Sequence, residues 1–430
     1  MSHSAATQPA DRLHPSQLTS ATVTRATLWG ASATVLATAG RALRVIVVAP
    51  FVSAHDYGLL AATLALIEGV NAFSELGTHS SLVRHRGPVA HVLDAAFTLQ
   101  ALRGAALAAL LFAAAPLAGA WIGDDALVPV VRAMALVPLV GGFSNPAMVL
   151  LTRRLEFRTL FGWSLVEPAI TLAAGVWLAV ALRNVWALVL AAVCGEVVRV
   201  TVSFVAARPW PRVALPRAQV AELLRFGRWV FGTRVLMFLS VRGDDLFVAA
   251  VLGTTAAGVY SVAFRIAELP VLLVTHAIVG VALPVWSGLA GEPERLRSRF
   301  LRTCVWAGAV NAAGAGALLA VAPHVLPLPR GMTWEASRTL MLVLVLASFA
   351  RSVIILAEPY FYSIGRPAIW FWMNVCRVGT AAILIVPLSG RFGLVGVALA
   401  VAAGVFSTVP IAVHAMNSRH ARRGAVPDSR

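Results

Sequence analysis

The sequence predicts an all-α protein that crosses a membrane many times. Of its 430 residues, 59% are hydrophobic and only 13% are charged, whereas roughly a quarter of the residues in soluble domains are charged. Apolar runs of about 20 residues, the length of a bilayer-spanning helix, recur along the whole chain. All 35 basic residues are arginine, and they concentrate in alternate connections between the runs.

About twelve spans are expected from these runs. Their approximate positions are 27–52, 57–79, 92–119, 127–151, 161–182, 185–206, 227–252, 256–283, 300–322, 337–361, 368–388 and 392–416. Both chain termini belong to the arginine-rich set of connections, so the positive-inside rule places both in the cytoplasm. Residues 1–26 are then a polar cytoplasmic tail, and residues 417–430 form a basic cytoplasmic tail.

A proline-rich stretch, 207–226, lies at the midpoint of the chain and is predicted to be a cytoplasmic linker. It separates two predicted lobes of six helices, 27–206 and 227–416. When the chain is shifted by 200 positions against itself, Gly58 meets Gly258 and Glu68 meets Glu268. The two lobes keep the same orientation, which predicts a parallel repeat about an axis along the membrane normal, with a substrate site between the lobes.

The second lobe carries the most specific pattern in the chain. The run DDLFVAAVLGTTAAGVYSVAFRIAELP, followed by VGVALPVWSGLAGEPERLRSRF, resembles the oligosaccharide flippases of polysaccharide biosynthesis. These flippases belong to the superfamily of multidrug, oligosaccharidyl-lipid and polysaccharide (MOP) exporters. The matching positions are Asp245, Gly253, Gly258, Tyr260, Ala263, Glu268, Pro270, Pro284 and Ser287.

The resemblance implies a transporter, not an enzyme, that works by alternating access around a central cavity. Its substrate would be an oligosaccharide linked to a polyprenyl carrier, usually undecaprenyl diphosphate, on its way to an extracellular polysaccharide, O-antigen or capsule. It implies a monomer in a bacterial inner membrane, in contact with membrane lipids and other polysaccharide assembly proteins. No nucleic-acid partner and no cofactor are expected, apart from possible coupling to H⁺ or Na⁺.

Charged residues within the predicted spans are the candidate site residues, because each costs about 2.5–3.5 kcal/mol at bilayer depth unless it faces protein or water. A planar guanidinium suits phosphate oxygens, so arginines are expected to bind the diphosphate and sugars. The candidates for this role are Arg44, Arg234, Arg242, Arg265, Arg351 and Arg377. The alternative for each is a pair with a nearby carboxylate.

Four carboxylates are candidates for ion coupling or for structural pairing. They are Glu68, Asp245, Glu268 and Glu358. Residues three apart on one helix can neutralise each other, which predicts the pairs Arg242–Asp245, Arg265–Glu268 and Glu196–Arg199.

Two other functions stay open at this point. A cation-coupled drug exporter of the same superfamily would be expected to place fewer arginines and more carboxylates in its cavity. A membrane polysaccharide polymerase or ligase typically has a sizeable outer loop, and the outer connections here are short. No cluster of residues has metal-ligand spacing, and no phosphate-binding loop is present.

Overall fold

The computed structural model describes residues 36, 40, 43–44, 46–74, 90–153, 157–214, 217–289 and 291–417. A single 3₁₀ turn, Ala49–Phe51, precedes the named α-helices. These are α1 Ala54–Ser74, α2 Ala90–Ile122, α3 Leu127–Met134, α4 Leu136–Gly141, α5 Met148–Arg153, α6 Phe157–Leu182, α7 Val185–Ala206, α8 Arg217–Leu252, α9 Thr254–Ala267, α10 Leu269–Ser287, α11 Pro293–Val325, α12 Trp334–Ile355, α13 Ala357–Ser363 and α14 Pro367–Asn417. The predicted tails and most of the predicted first span lie outside the described residues.

The predicted all-α membrane fold is confirmed. Seven helical segments in the described part are long and apolar enough to cross a membrane, and the bent pair α9 and α10 is an eighth candidate. Large aliphatic and aromatic side chains lie on the outer surface of these helices, as at Trp177, Val305 and Ile383. An apolar outer surface is what a lipid environment requires, so the chain is a multi-pass membrane protein.

The predicted span 127–151 is broken into the three short helices α3, α4 and α5. Pro138 lacks the amide hydrogen that a continuous helix needs, and Gly142–Pro146 leaves the helical path before α5 begins. The side chain of the buried Asn145 makes hydrogen bonds with the backbone at this break. Its amide nitrogen Nδ2 donates to the carbonyl of Ala207 at 3.0 Å, and its Oδ1 accepts from the amide of Ala147 at 2.9 Å.

One other boundary differs from the prediction. Helix α8 begins at Arg217, inside the predicted linker 207–226, so this long helix starts before its predicted span. Helix α14 covers the last two predicted spans, which meet at a kink at Gly393, whose φ of 55° and ψ of −131° are not helical. Glycine tolerates this left-handed backbone because it has no Cβ.

Helices α9 and α10 meet at Glu268 and are bent by 40° relative to each other. Pro270 stands at the second position of α10, where its missing amide hydrogen costs no helical hydrogen bond. The bend means that Arg265 and Glu268 do not lie on one continuous helix.

The two halves of the chain meet most extensively where α1 packs against α9. A Cβ on Gly58 would collide with the carbonyl oxygen of Thr254, and a Cβ on Gly258 would collide with the carbonyl oxygen of Ala54. Each member of these two contacts has its counterpart 200 positions away. The crossing of α1 and α9 is therefore reciprocal, as a two-fold axis between these two helices requires.

Candidate functional site

A partly buried arginine joins the two halves of the chain within the apolar helices. Arg242 on α8 donates from Nε and Nη2 to the two carboxylate oxygens of Glu68 on α1, at 2.8 Å each. Its Nη1 donates to Asp245 one turn along α8, at 3.1 Å. The predicted Arg242–Asp245 pair is confirmed, and the bidentate contact with Glu68 adds a link between the halves.

The predicted pair Arg265–Glu268 is wrong. Glu268 instead forms an ion pair with Arg351 Nη1 on α12, at 2.8 Å. The bend between α9 and α10 ends the continuous helix that the predicted pair required. The Arg351 guanidinium also lies 5.9 Å from the centre of the Phe264 ring.

Two of the candidate arginines form no ion pair with a carboxylate in the part of the chain that the structure describes. Among the residues that the structure describes, Arg265 and Arg377 make no ion pair. Arg377 Nη2 donates to Asn374 Oδ1 one turn away, at 3.0 Å. Most of the hydrogen-bond donors of these two guanidinium groups therefore remain available to a ligand.

These groups surround a cavity of about 120 Å³, called here the polar cavity. It is lined by Val241, Arg242, Asp244, Asp245, Ser261, Phe264, Arg265, Glu268 and Arg351. A larger cavity of about 360 Å³, called here the apolar cavity, contains Arg377 in its wall. The two cavities share Val241, Asp244, Phe264 and Arg351, so they adjoin each other.

Asp244 lines both cavities, and the sequence reasoning did not include it among the site residues. It accepts a hydrogen bond from the Tyr260 hydroxyl at 2.7 Å. Both residues belong to the pattern from Asp244 to Pro270, so their place in that pattern was the available signal. The contact itself needs the turn between α8 and α9, which sequence spacing does not define.

Two candidates lie away from the cavities, and a third cannot be placed within the described residues. Arg44 lies against α6 at Gly175, and Glu358 is hydrogen-bonded to Tyr362 on the short helix α13. Arg234 is on α8, and its side chain lies outside the described part of the structure. Together the two cavities and Glu68 hold four arginines and four carboxylates, so the expected excess of arginine over carboxylate is not observed.

At one end of the helices, the first and second halves of the chain are joined by backbone and side-chain contacts. The amide of Ala54 donates to the carbonyl of Arg330, and the amide of Arg330 donates to the carbonyl of Val52, both at 3.1 Å. Nearby, the Thr254 hydroxyl donates to Asp124 Oδ2 at 2.6 Å, and His55 Nε2 lies 2.8 Å from the same oxygen. We call these residues the joined end.

The Asp124 carboxylate lies in the connection between α2 and α3, outside the spans. Partial burial alone would raise its pKa, but hydrogen bonds from Thr254, His55 and the amide of Ala126 outweigh burial and lower the pKa below the ordinary value of 3.8. The carboxylate is therefore held in its charged form as an acceptor at the joined end.

The charged residues lie deep within the spans. Glu68 is ten residues from Gly58 along α1, which is about 15 Å at 1.5 Å per residue. A hydrocarbon core is about 30 Å thick. The polar cavity is thus about half a membrane thickness from the joined end.

Comparison with known proteins identifies the family. The model for the polysaccharide biosynthesis protein family matches residues 47–338, which is more than half of the chain. The chain belongs to this family. The matched region includes Glu68, Arg242, Asp244, Asp245, Arg265 and Glu268.

Two curated members of polysaccharide assembly systems are similar to this family member. The lipopolysaccharide biosynthesis protein WzxC of Escherichia coli (strain K12) is 25% identical over 76% of this chain and 66% of its own length. The succinoglycan biosynthesis transport protein ExoT of Rhizobium meliloti (strain 1021) is 24% identical over 77% of this chain and 67% of its own length. The matched region thus spans about two thirds of the length of these relatives.

Solved transporters share the fold of this family member. The lipid II flippase MurJ, in an inward closed conformation, has a TM-score of 0.72 at 13% identity, covering 90% of this chain and 87% of MurJ. A multidrug resistance MATE family transporter of the MOP superfamily, in an inward-facing conformation, has a TM-score of 0.64 at 17% identity. That match covers 91% of this chain and 93% of the transporter.

Proposed function

We propose that the protein is a flippase that moves a polyprenyl-diphosphate-linked oligosaccharide across a bacterial inner membrane by alternating access. The observation that carries the proposal is that, among the described residues, Arg265 and Arg377 form no ion pair and lie in the walls of adjoining cavities within apolar helices. Intramembrane charges normally have partners. An anionic ligand would supply the missing partner for both.

The contacts support a role in polysaccharide assembly more than a role in drug export. All four carboxylates already have donors: Glu68 and Asp245 have Arg242, Glu268 has Arg351, and Asp244 has Tyr260. The total charge of these four carboxylates and the four arginines is zero, but within the described residues Arg265 and Arg377 are the two arginines that form no ion pair. A diphosphate fits these two guanidinium groups, whereas a cationic drug would be repelled by them.

The joined end supports a direction of transport. Positive-inside counting assigns the connections containing His55, Asp124 and Thr254 to the outer side and both termini to the cytoplasm. Closure at the outer side leaves the cytoplasmic side as the route by which the lipid-linked sugar reaches the polar cavity. The carrier lipid would be undecaprenyl diphosphate, and the protein would act as a monomer beside other polysaccharide assembly proteins.

Coupling to H⁺ or Na⁺ is part of the proposal. A cation bound by Glu68, Asp245 or Glu268 would weaken the contact of that carboxylate with Arg242 or Arg351 and release the arginine for the diphosphate. Glu358 lies away from both cavities, so its proposed role is structural pairing with Tyr362 within α13.

The proposal is tested in cells that lack the protein. Polyprenyl-diphosphate-linked repeat units are extracted from spheroplasts after treatment with a membrane-impermeant sugar-oxidising probe. We expect unmodified repeat units on the cytoplasmic side, and their release when the wild-type chain is restored. Arg265→Gln should fail to release them, whereas Arg302→Gln, at the exposed start of α11, should behave as wild type.

Three outcomes would contradict the proposal. Repeat units that reach the outer leaflet unpolymerised without the protein would indicate a polymerase or ligase. An unchanged repeat-unit pool, together with new sensitivity to cationic drugs, would indicate a drug exporter. Normal release by Arg265→Gln would remove Arg265 from the site.

A further inference from the structure

The apolar cavity has a composition unlike that of the polar cavity beside it. It lies between α8, α12 and α14, and its volume is about 360 Å³. Most of its wall is apolar, including Phe247, Ala382, Ile385, Val401 and Val405. Pockets of 300–1,000 Å³ with apolar walls and a few polar groups are typical of small-molecule sites.

Polar groups with unmet hydrogen bonds belong to the wall of this cavity. Within the described residues, the buried Ser240 hydroxyl and the buried Nε of Arg351 have no hydrogen-bond partner. Arg377 has no ion pair there, and Ser348 adds a second hydroxyl. Buried polar atoms are nearly always paired, so these unpaired donors favour an anionic ligand with a hydrocarbon part.

The order of the two cavities matches the order of groups in one class of lipid. Arg351 and Phe264 stand at the shared wall, with charged side chains on one side and aliphatic side chains on the other. A polyprenyl-linked sugar has its phosphates between the sugar and the hydrocarbon. With the phosphates at Arg351 and Arg377, the sugar end would lie toward the polar cavity and the hydrocarbon toward the apolar cavity.

We propose that the apolar cavity binds the phosphate-proximal isoprene units of the lipid carrier, with the phosphates held by Arg351, Arg377 and Ser240. This inference rests on the proposed function and names the part of the substrate that enters the second half of the chain. The volume has room for roughly twelve water-sized groups at ~30 Å³ each, which corresponds to two or three five-carbon units. The rest of the polyprenyl chain would leave the cavity toward lipid, since Leu239 and Val386 in its wall are exposed.

The inference is tested by binding to the purified full chain in nanodiscs. The probes are inorganic diphosphate, farnesyl diphosphate with its three isoprene units, and dodecyl phosphate with a straight chain. We expect farnesyl diphosphate to bind at least tenfold more tightly than either other probe. Equal binding of dodecyl phosphate would assign the cavity to ordinary phospholipid and overturn the inference.

Two variants with a matched control separate the parts of the cavity. Ala382→Phe fills the cavity and should weaken farnesyl diphosphate at least tenfold while leaving inorganic diphosphate unchanged. Arg377→Gln should weaken both. Ile383→Phe, one residue along α14 with its side chain 75% exposed and outside the cavity wall, should weaken neither.

The result of this binding test is independent of the spheroplast assay that tests the proposed function. If Ala382→Phe leaves farnesyl diphosphate binding unchanged while the wild-type chain still releases repeat units, the subsite is wrong and the flippase function stands. If the subsite behaves as expected but repeat units do not depend on the protein, the flippase function is wrong and a polyprenyl phosphate site remains.

Discussion

Gly58 and Gly258 each leave space for the backbone of the helix that carries the other. The carbonyl oxygens of Thr254 and Ala54 occupy the positions that a Cβ on either glycine would need. This close crossing of α1 and α9 lies next to the joined end, so a larger side chain at either glycine should separate the two halves there.

Replacing Gly258 by Ala should prevent this crossing, because overpacking at a tight contact costs about 1–3 kcal/mol. We expect the variant to reach the membrane in normal amounts and to release at least tenfold fewer repeat units in the spheroplast assay described above. Gly316→Ala is the control, since a Cβ at that position on α11 meets open space. Wild-type release by Gly258→Ala would show that the crossing is not required for closure.

The contact between Arg242 and Glu68 should act as a unit. Arg242→Gln and Glu68→Gln should each reduce release at least tenfold, because each leaves a charged partner within the membrane. The double variant should be no worse than either single variant, since contacting residues are not additive. Additive losses in this double-mutant cycle would mean that the two side chains act separately.

A matched pair within one helix provides the control for that cycle. Glu196 and Arg199 are also an ion pair, on α7, with the arginine half exposed. This pair lines neither cavity. Arg199→Gln should therefore change release less than twofold.

The role of Arg265 in release should depend on the planar guanidinium group as well as on its positive charge. Arg265→Lys keeps a cation in the polar cavity but loses bidentate binding to phosphate oxygens. We expect release intermediate between wild type and Arg265→Gln, with weaker binding of inorganic diphosphate to the purified chain. Full activity of Arg265→Lys would show that charge alone is sufficient, and Arg302→Lys controls for a change at an exposed arginine.

Asp124 should stabilise the joined end over a defined pH range. Because its pKa is lower in the folded protein than its ordinary value of 3.8, its contribution is present above pH 3.8 and is lost as the pH falls through the lower folded value. Asp124→Asn should therefore reduce the melting temperature at pH 7, and the difference from wild type should shrink only below pH 3.8. The measurement is a thermal melt of the purified chain, with the adjacent exposed Asp125→Asn as the control. A difference that disappears already at pH 6 would contradict this assignment.

The long helices could be predicted because an apolar run of bilayer length has few other conformations. The broken span α3–α5 was not predicted, although prolines, glycines and Asn145 interrupt the run 127–151. Its path could not be read from the sequence, because it depends on Asn145 reaching the end of α7. Local spacing on a continuous helix gave the Arg242–Asp245 pair correctly. It failed for Glu268, because the bend before Pro270 directs that carboxylate to another helix.

The contact between Arg242 and Glu68 was also beyond sequence reasoning. The two residues are 174 positions apart, and the repeat indicates only that Glu68 and Glu268 occupy matching places. It does not indicate the partner of either glutamate, because each partner comes from a different helix that packs nearby. The same limit applies to Asp244, whose role depends on Tyr260.

The matching glutamates have different partners: Glu68 binds an arginine of the opposite half, and Glu268 binds an arginine of its own half. A passage built from two similar walls would fit a cargo equally well in either orientation. Here the two walls differ in the helix that supplies the arginine, despite their matching sequence positions. Under the proposed function, a substrate with a polar end and a hydrocarbon end would meet two unlike walls and would bind between them in a preferred orientation.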